Sequence, residues 1–86
     1  MQPLADIVQH LPVGAIIYHQ PRNHYYRILH KTMIKKDGGG WEYGWSYQEV
    51  KPVQQIHDEI VYELDEGAEV YSRPFSLFDS DWLLAY

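Results

Sequence analysis

The chain is 86 residues long, has no cysteine and carries a formal net charge of −5. That length allows one domain near the lower end of what folds unaided, and the missing cysteine excludes disulfide staples and points to a reducing, cytoplasmic setting. No apolar run approaches the roughly 18 residues of a membrane span, and the start, MQPLADIVQH, lacks the basic region that opens a signal peptide.

The charge is unevenly spread. Residues 1–57 balance at +2, whereas residues 58–86 set Arg73 against eight acids and balance at −7. A solvated acidic hairpin would account for this excess, and so would a face directed at a partner protein with a basic surface. Nucleic-acid binding by the acidic half is disfavoured, because phosphate recognition needs Lys and Arg.

Leu4, Ile7, Val8 and Leu11 fall on one helical stripe, which predicts a short helix over residues 3–11. Pro3 suits its first turn and Pro12 ends it. Such a helix is too short to persist alone and must pack on something. Strands are expected near 15–19 and 25–35, joined by the turn QPRN. KKDGGG, residues 35–40, is the strongest turn signal in the chain, and it leads into a third strand over 41–49 that Lys51-Pro52 closes. Residues 53–64 read either as one helical face (Val53, Ile56, Ile60, Leu64) or as the start of a hairpin with strands near 59–64 and 68–72. The β-branched and aromatic residues of EIVYEL favour the hairpin, with a helical turn still allowed over 53–57. In RPFSLFDSDW, residues 73–82, a Pro-opened turn should tuck Phe75, Leu77, Phe78 and Trp82 under the sheet. The pattern predicts a mainly β fold: a small, strongly curved antiparallel sheet or SH3-like partly open barrel with a short N-terminal helix.

YHQPRNHYYRIL (residues 18–29), EIVYEL (59–64) and VYSRPFSLF (70–78) resemble the bacterial and phage family known as domain of unknown function 1653. That family's pattern ends in Trp-x-Arg-Pro-x-x-Met-Phe, which Arg73, Pro74 and Phe78 match while Tyr71 and Leu77 depart from it. The resemblance covers about a third of the chain, and residues 31–57 look like an insertion relative to it. It implies a compact single β-domain and no known activity.

Within that insertion, Trp41, Tyr43, Trp45 and Tyr47 occupy every second position and so share one face of a strand. Packing explains such a ladder, since each buried aromatic removes about 150–250 Å² from water. Eight tyrosines compete for one small interior, however, so some rings must reach the surface, where Tyr and Trp anchor interfaces. The expected division leaves both tryptophans largely buried and one or two tyrosines exposed. With Arg27, Lys31, Lys35 and Lys36 nearby, the same ladder could instead stack single-stranded nucleic acid, although the net charge opposes that.

No catalytic arrangement can be read. DGGG joins two strands and opens no helix, so it lacks an anion-binding helix end. His19, His24 and His30 have no recognised metal spacing, and neither metal nor cofactor is expected. Arg73, surrounded by acids in sequence, is expected to form an intramolecular ion pair worth about 0–1 kcal/mol. Asp58, Glu59, Glu63, Asp65, Glu66 and Glu69 should form an exposed acidic edge. The residues point to a non-catalytic protein-binding module, with Trp41, Tyr43, Trp45, Tyr47, Glu63 and Glu66 as candidate contacts. One concrete form is an accessory or inhibitory protein of a phage or mobile element, such as a blocker of a host defence complex. The competing reading is a single-stranded nucleic-acid-binding module using Arg27, Lys31, Lys35 and Lys36.

Overall fold

The computed structural model describes residues 1–57, 59–64 and 67–85, with only the backbone described at 53–56. Seven strands form one antiparallel sheet: β1 (Gln2–Pro3), β2 (Ile16–His19), β3 (His24–Lys35), β4 (Trp41–Ile56), β5 (Glu59–Leu64), β6 (Val70–Pro74) and β7 (Trp82–Leu84). Their order is β1-β7-β2-β3-β4-β5, with β6 also on β4. The sheet does not close into a barrel.

β4 organises this sheet. It is 16 residues long, and β3 covers one edge of it from Trp41 to Val50. On its other edge β6 pairs with Gly44–Gln48 and β5 with Val50–Ile56, end to end. The third strand therefore does not stop at Lys51-Pro52, and no helical turn follows it. Pro52 is accommodated because the β4–β5 register shifts between Pro52 and Gln54, a bulge of the kind that lets a strand carry a residue with no N–H.

The turns follow the sequence closely. Gly38, Gly39 and Gly40 all have positive φ, and Lys36 N–H donates to the Gly40 carbonyl at 3.0 Å. In QPRN, Asn23 adopts φ 54° and its Oδ1 accepts from the Tyr18 hydroxyl at 2.6 Å.

The N-terminal helix is not formed. Gln2–Pro3 pairs with Leu83–Leu84 of β7, and helical backbone shrinks to one 3-10 turn, Val8–His10, with no side-chain cap. Leu4, Val8 and Leu11 are nonetheless buried and Ile7 half-buried. The apolar spacing marked the residues that face the core, but so short a segment gains more from strand pairing and core contacts than from two uncapped helical turns.

Leu4, Val8, Leu11, Ala15, Ile17, Tyr26, Ile28, Trp45, Tyr47, Phe78 and Trp82 make the core. Trp45 is tied to the N-terminal segment by an indole N–H donated to the Val8 carbonyl at 2.6 Å. Of the final apolar group, Phe78 and Trp82 are buried and Phe75 packs against the cluster, but Leu77 stays exposed at the end of the 3-10 turn Phe75–Leu77.

Candidate functional site

The ladder is divided along its length and not by residue type. Trp45 and Tyr47 are buried, whereas Trp41 is 62% and Tyr43 49% exposed. The expectation that both tryptophans pack is therefore overturned for Trp41, while of the two ladder tyrosines Tyr43 is the one that reaches the surface. The cause lies in what covers the strand. The N-terminal segment and the Phe75–Phe78 stretch lie over the middle of β4, reaching Trp45 through Val8 and Phe75 and Tyr47 through Phe78. Trp41 and Tyr43 lie beyond that cover, next to the glycine turn.

A bulge in β3 decides what accompanies them. Ile28 opposes Tyr47 and His30 opposes Ser46, so Leu29 is an extra residue. One inserted residue exchanges the two faces of a strand beyond it. Before the bulge, Tyr26 and Ile28 face the core; after it, Lys31, Met33 and Lys35 stand opposite Trp45, Tyr43 and Trp41. The Lys31 ammonium lies 4.9 Å from the Tyr43 ring centroid and 6.0 Å from that of Phe75, within cation–π range. Met33 is 53% exposed. The result is a continuous patch of Trp41, Tyr43 and Met33 with Lys31 and Lys35 beside it.

An open groove of about 480 Å³ adjoins Tyr43, lined by Val8, Gln9, Glu42, Phe75 and Phe78 among others. Glu42 alternates with Trp41 and Tyr43 along β4, and its carboxylate accepts from the Ser76 N–H at 2.8 Å and the Ser76 hydroxyl at 2.9 Å. These bonds, the backbone one foremost, hold its pKa below the ordinary carboxylate value.

The other sequence-predicted residues do not join this patch. Trp45 and Tyr47 are core and unavailable to a partner. Arg27 opposes Gln48, on the other face, and Lys36 lies in the turn. Glu63 is exposed on β5, opposite Lys51, and Glu59 and Glu69 are exposed as well. Asp58, Asp65 and Glu66 lie outside the described residues.

Arg73 also departs from expectation. Among the described residues it has no carboxylate partner within ion-pair distance. Its Nε donates to the Tyr47 hydroxyl at 3.3 Å, its Nη1 donates to the Leu77 carbonyl at 3.3 Å, and its guanidinium lies 5.2 Å from the Trp82 ring centroid. The register explains this: Arg73 is opposite Trp45 on β6, so it points into the aromatic face. His24 sits 3.7 Å from Glu49. Among the described residues no three His, Cys, Asp or Glu side chains gather closely enough to hold a metal ion, and no helix is long and apolar enough to cross a membrane.

Comparison with protein-family models, with curated proteins and with solved structures returns no match to this chain. The geometry alone must carry a functional reading.

Proposed function

We propose that the chain is a non-catalytic protein-binding domain whose docking surface is the exposed end of the β3–β4 ribbon. One observation carries the reading: Trp41, Tyr43 and Met33 share a face and are each about half exposed or more. Trp, Tyr and Met are enriched at interface centres, and a small monomeric fold rarely leaves them together in water without use. Lys31 and Lys35 rim this patch, and Glu42, the acid next to it, has its carboxylate engaged by Ser76. The partner that fits is a protein presenting an apolar pocket ringed by carboxylates. This reverses the sign expected from the acidic half of the chain, because Glu63 belongs to the distant β4–β5 arm. A small binder of this kind suits an accessory or inhibitory protein of a phage or mobile element, such as a blocker of a host defence complex.

A second reading has one specific observation in its favour. Lysines and aromatics alternate on the patch, with Lys31 over Tyr43, as a single-stranded nucleic-acid platform requires. Among the described residues only Lys31 and Lys35 supply positive charge on the patch, against a net −5 for the chain.

Photo-crosslinking separates the two. A benzophenone side chain placed at Tyr43 should yield a discrete protein adduct that the K31E/K35E variant loses, with none from the same probe at Val13, which is exposed elsewhere. Salt-sensitive binding of single-stranded oligonucleotides that Trp41→Ala abolishes, with no protein adduct, would favour nucleic acid. Equal adducts from both positions would remove the patch from any interface.

A further inference from the structure

A second cavity lies on the core face of the sheet, away from the proposed docking patch. It has a volume of about 190 Å³ and is lined by His19, Arg22, Tyr26, Tyr47, Tyr71, Arg73 and Trp82. A single water claims about 30 Å³ of liquid, so the space suits a small polyatomic ligand.

The lining is rich in donors and has no carboxylate. Two guanidinium groups reach it, from β6 and from the β2–β3 turn. A guanidinium has five N–H donors, and Arg73 uses one bond from Nε and one from Nη1 among the described residues. The Tyr47 hydroxyl accepts from Arg73 and keeps its own proton to donate. Burial raises the Tyr26 pKa, with the nearby Arg22 opposing, so this phenol stays a protonated donor at neutral pH. His19 packs its ring 4.5 Å from that of Trp82, and its Nδ1 is buried with no hydrogen-bond partner. An unpartnered polar atom of this kind is uncommon in a folded protein and calls for an explanation. Burial, followed by the field of Arg22, holds the His19 pKa down, with Asp81 opposing. The imidazole is therefore predominantly neutral at pH 7 and forms part of the cavity wall beside Trp82.

We infer that this cavity binds a compact oxyanion, a phosphoryl or carboxylate group on a small molecule, held by Arg22 and Arg73 with the tyrosine hydroxyls completing the shell. Planar guanidinium forks match both kinds of oxyanion, and charge-assisted bonds in a partly enclosed site are the strong ones.

Titration of the full-length protein with sodium phosphate and, separately, sodium acetate tests this, followed by NMR at constant ionic strength with chloride as the balancing anion. Saturable shifts of the His19 imidazole and Trp82 indole signals are expected for at least one anion. Arg22→Ala, an exposed turn residue whose loss should leave the fold intact, should weaken that binding about tenfold or more. Saturation with phosphate alone identifies a phosphoryl ligand, and with acetate alone a carboxylate. Shifts that stay linear for both anions, or saturation that Arg22→Ala leaves unchanged, overturn the assignment.

Discussion

Truncating Trp45 and Trp41 in parallel probes the division of the ladder, because the two residues are four positions apart on one face of one strand. Trp45 is 4% exposed, packs 5.7 Å from the Phe75 ring, and donates its indole N–H to the Val8 carbonyl. Replacing a buried Trp by Ala costs about 3–5 kcal/mol in lost burial and cavity. The orphaned Val8 carbonyl adds about 1–3 kcal/mol unless water reaches it. A domain of this size has a total stability of about 4–13 kcal/mol, so Trp45→Ala should leave it marginal or unfolded at room temperature. Trp45→Phe keeps a ring in the core and loses the N–H, and should cost about 1–3 kcal/mol, or roughly 4–24 °C in melting temperature. Trp41→Ala removes a side chain already in water and should stay within about 0.5 kcal/mol of the parent. Urea denaturation followed by circular dichroism measures all three. Equal destabilisation by Trp41→Ala and Trp45→Phe would refute the reasoning, since it would mean that both rings pack alike.

Three further outcomes follow from particular contacts. Gly44→Ala should destabilise by about 1–3 kcal/mol or more in urea denaturation, because an added Cβ would strike the Arg73 carbonyl on the adjacent strand and come within 2.7 Å of Ile34 Cδ1; parental stability would mean that β6 does not lie this close to β4. Glu42→Ala should speed hydrogen exchange at the Ser76 amide selectively, by removing its acceptor, and unchanged exchange there would show that the bond is not formed in solution. His19 has a folded-state pKa below the ordinary value of about 6.5, so the unfolded chain takes up its proton first as pH falls. The His19 contribution to stability is then constant above about pH 6.5 and declines below it, and a urea midpoint measured from pH 7.5 down to pH 5.5 should fall less steeply in His19→Gln.

The β-rich class, the first two hairpins and most core residues were legible in the sequence because each rests on local chemistry. DGGG and QPRN dictate their own backbone, and the Tyr26 and Ile28 alternation marks a buried face. What was not legible depends on partners distant in sequence. Leu4, Ile7, Val8 and Leu11 have helical spacing, but β7, about eighty residues later, captures Gln2 and Pro3. Pro52 looks like a strand end, yet a bulge carries β4 past it. The candidate site turned on the extra residue at Leu29, which places Lys31, Met33 and Lys35 beside the ladder; uninterrupted alternation would have put His30, Thr32 and Ile34 on the Tyr26 and Ile28 face. Arg73 is the same lesson in electrostatics. Its register on β6 sends it among aromatic rings, where no carboxylate among the described residues lies within ion-pair distance.

Fluorine NMR of the protein labelled with 5-fluorotryptophan measures the division of the ladder most directly, through the shift of each tryptophan signal between H2O and D2O. Trp41→Phe, Trp45→Phe and Trp82→Phe assign the three resonances. The Trp41 signal should show a large solvent-isotope shift, while those of Trp45 and Trp82, 4% and 3% exposed, should show almost none. A Trp41 signal as insensitive as the other two would contradict the account, because the surface proposed to receive a partner would then be buried.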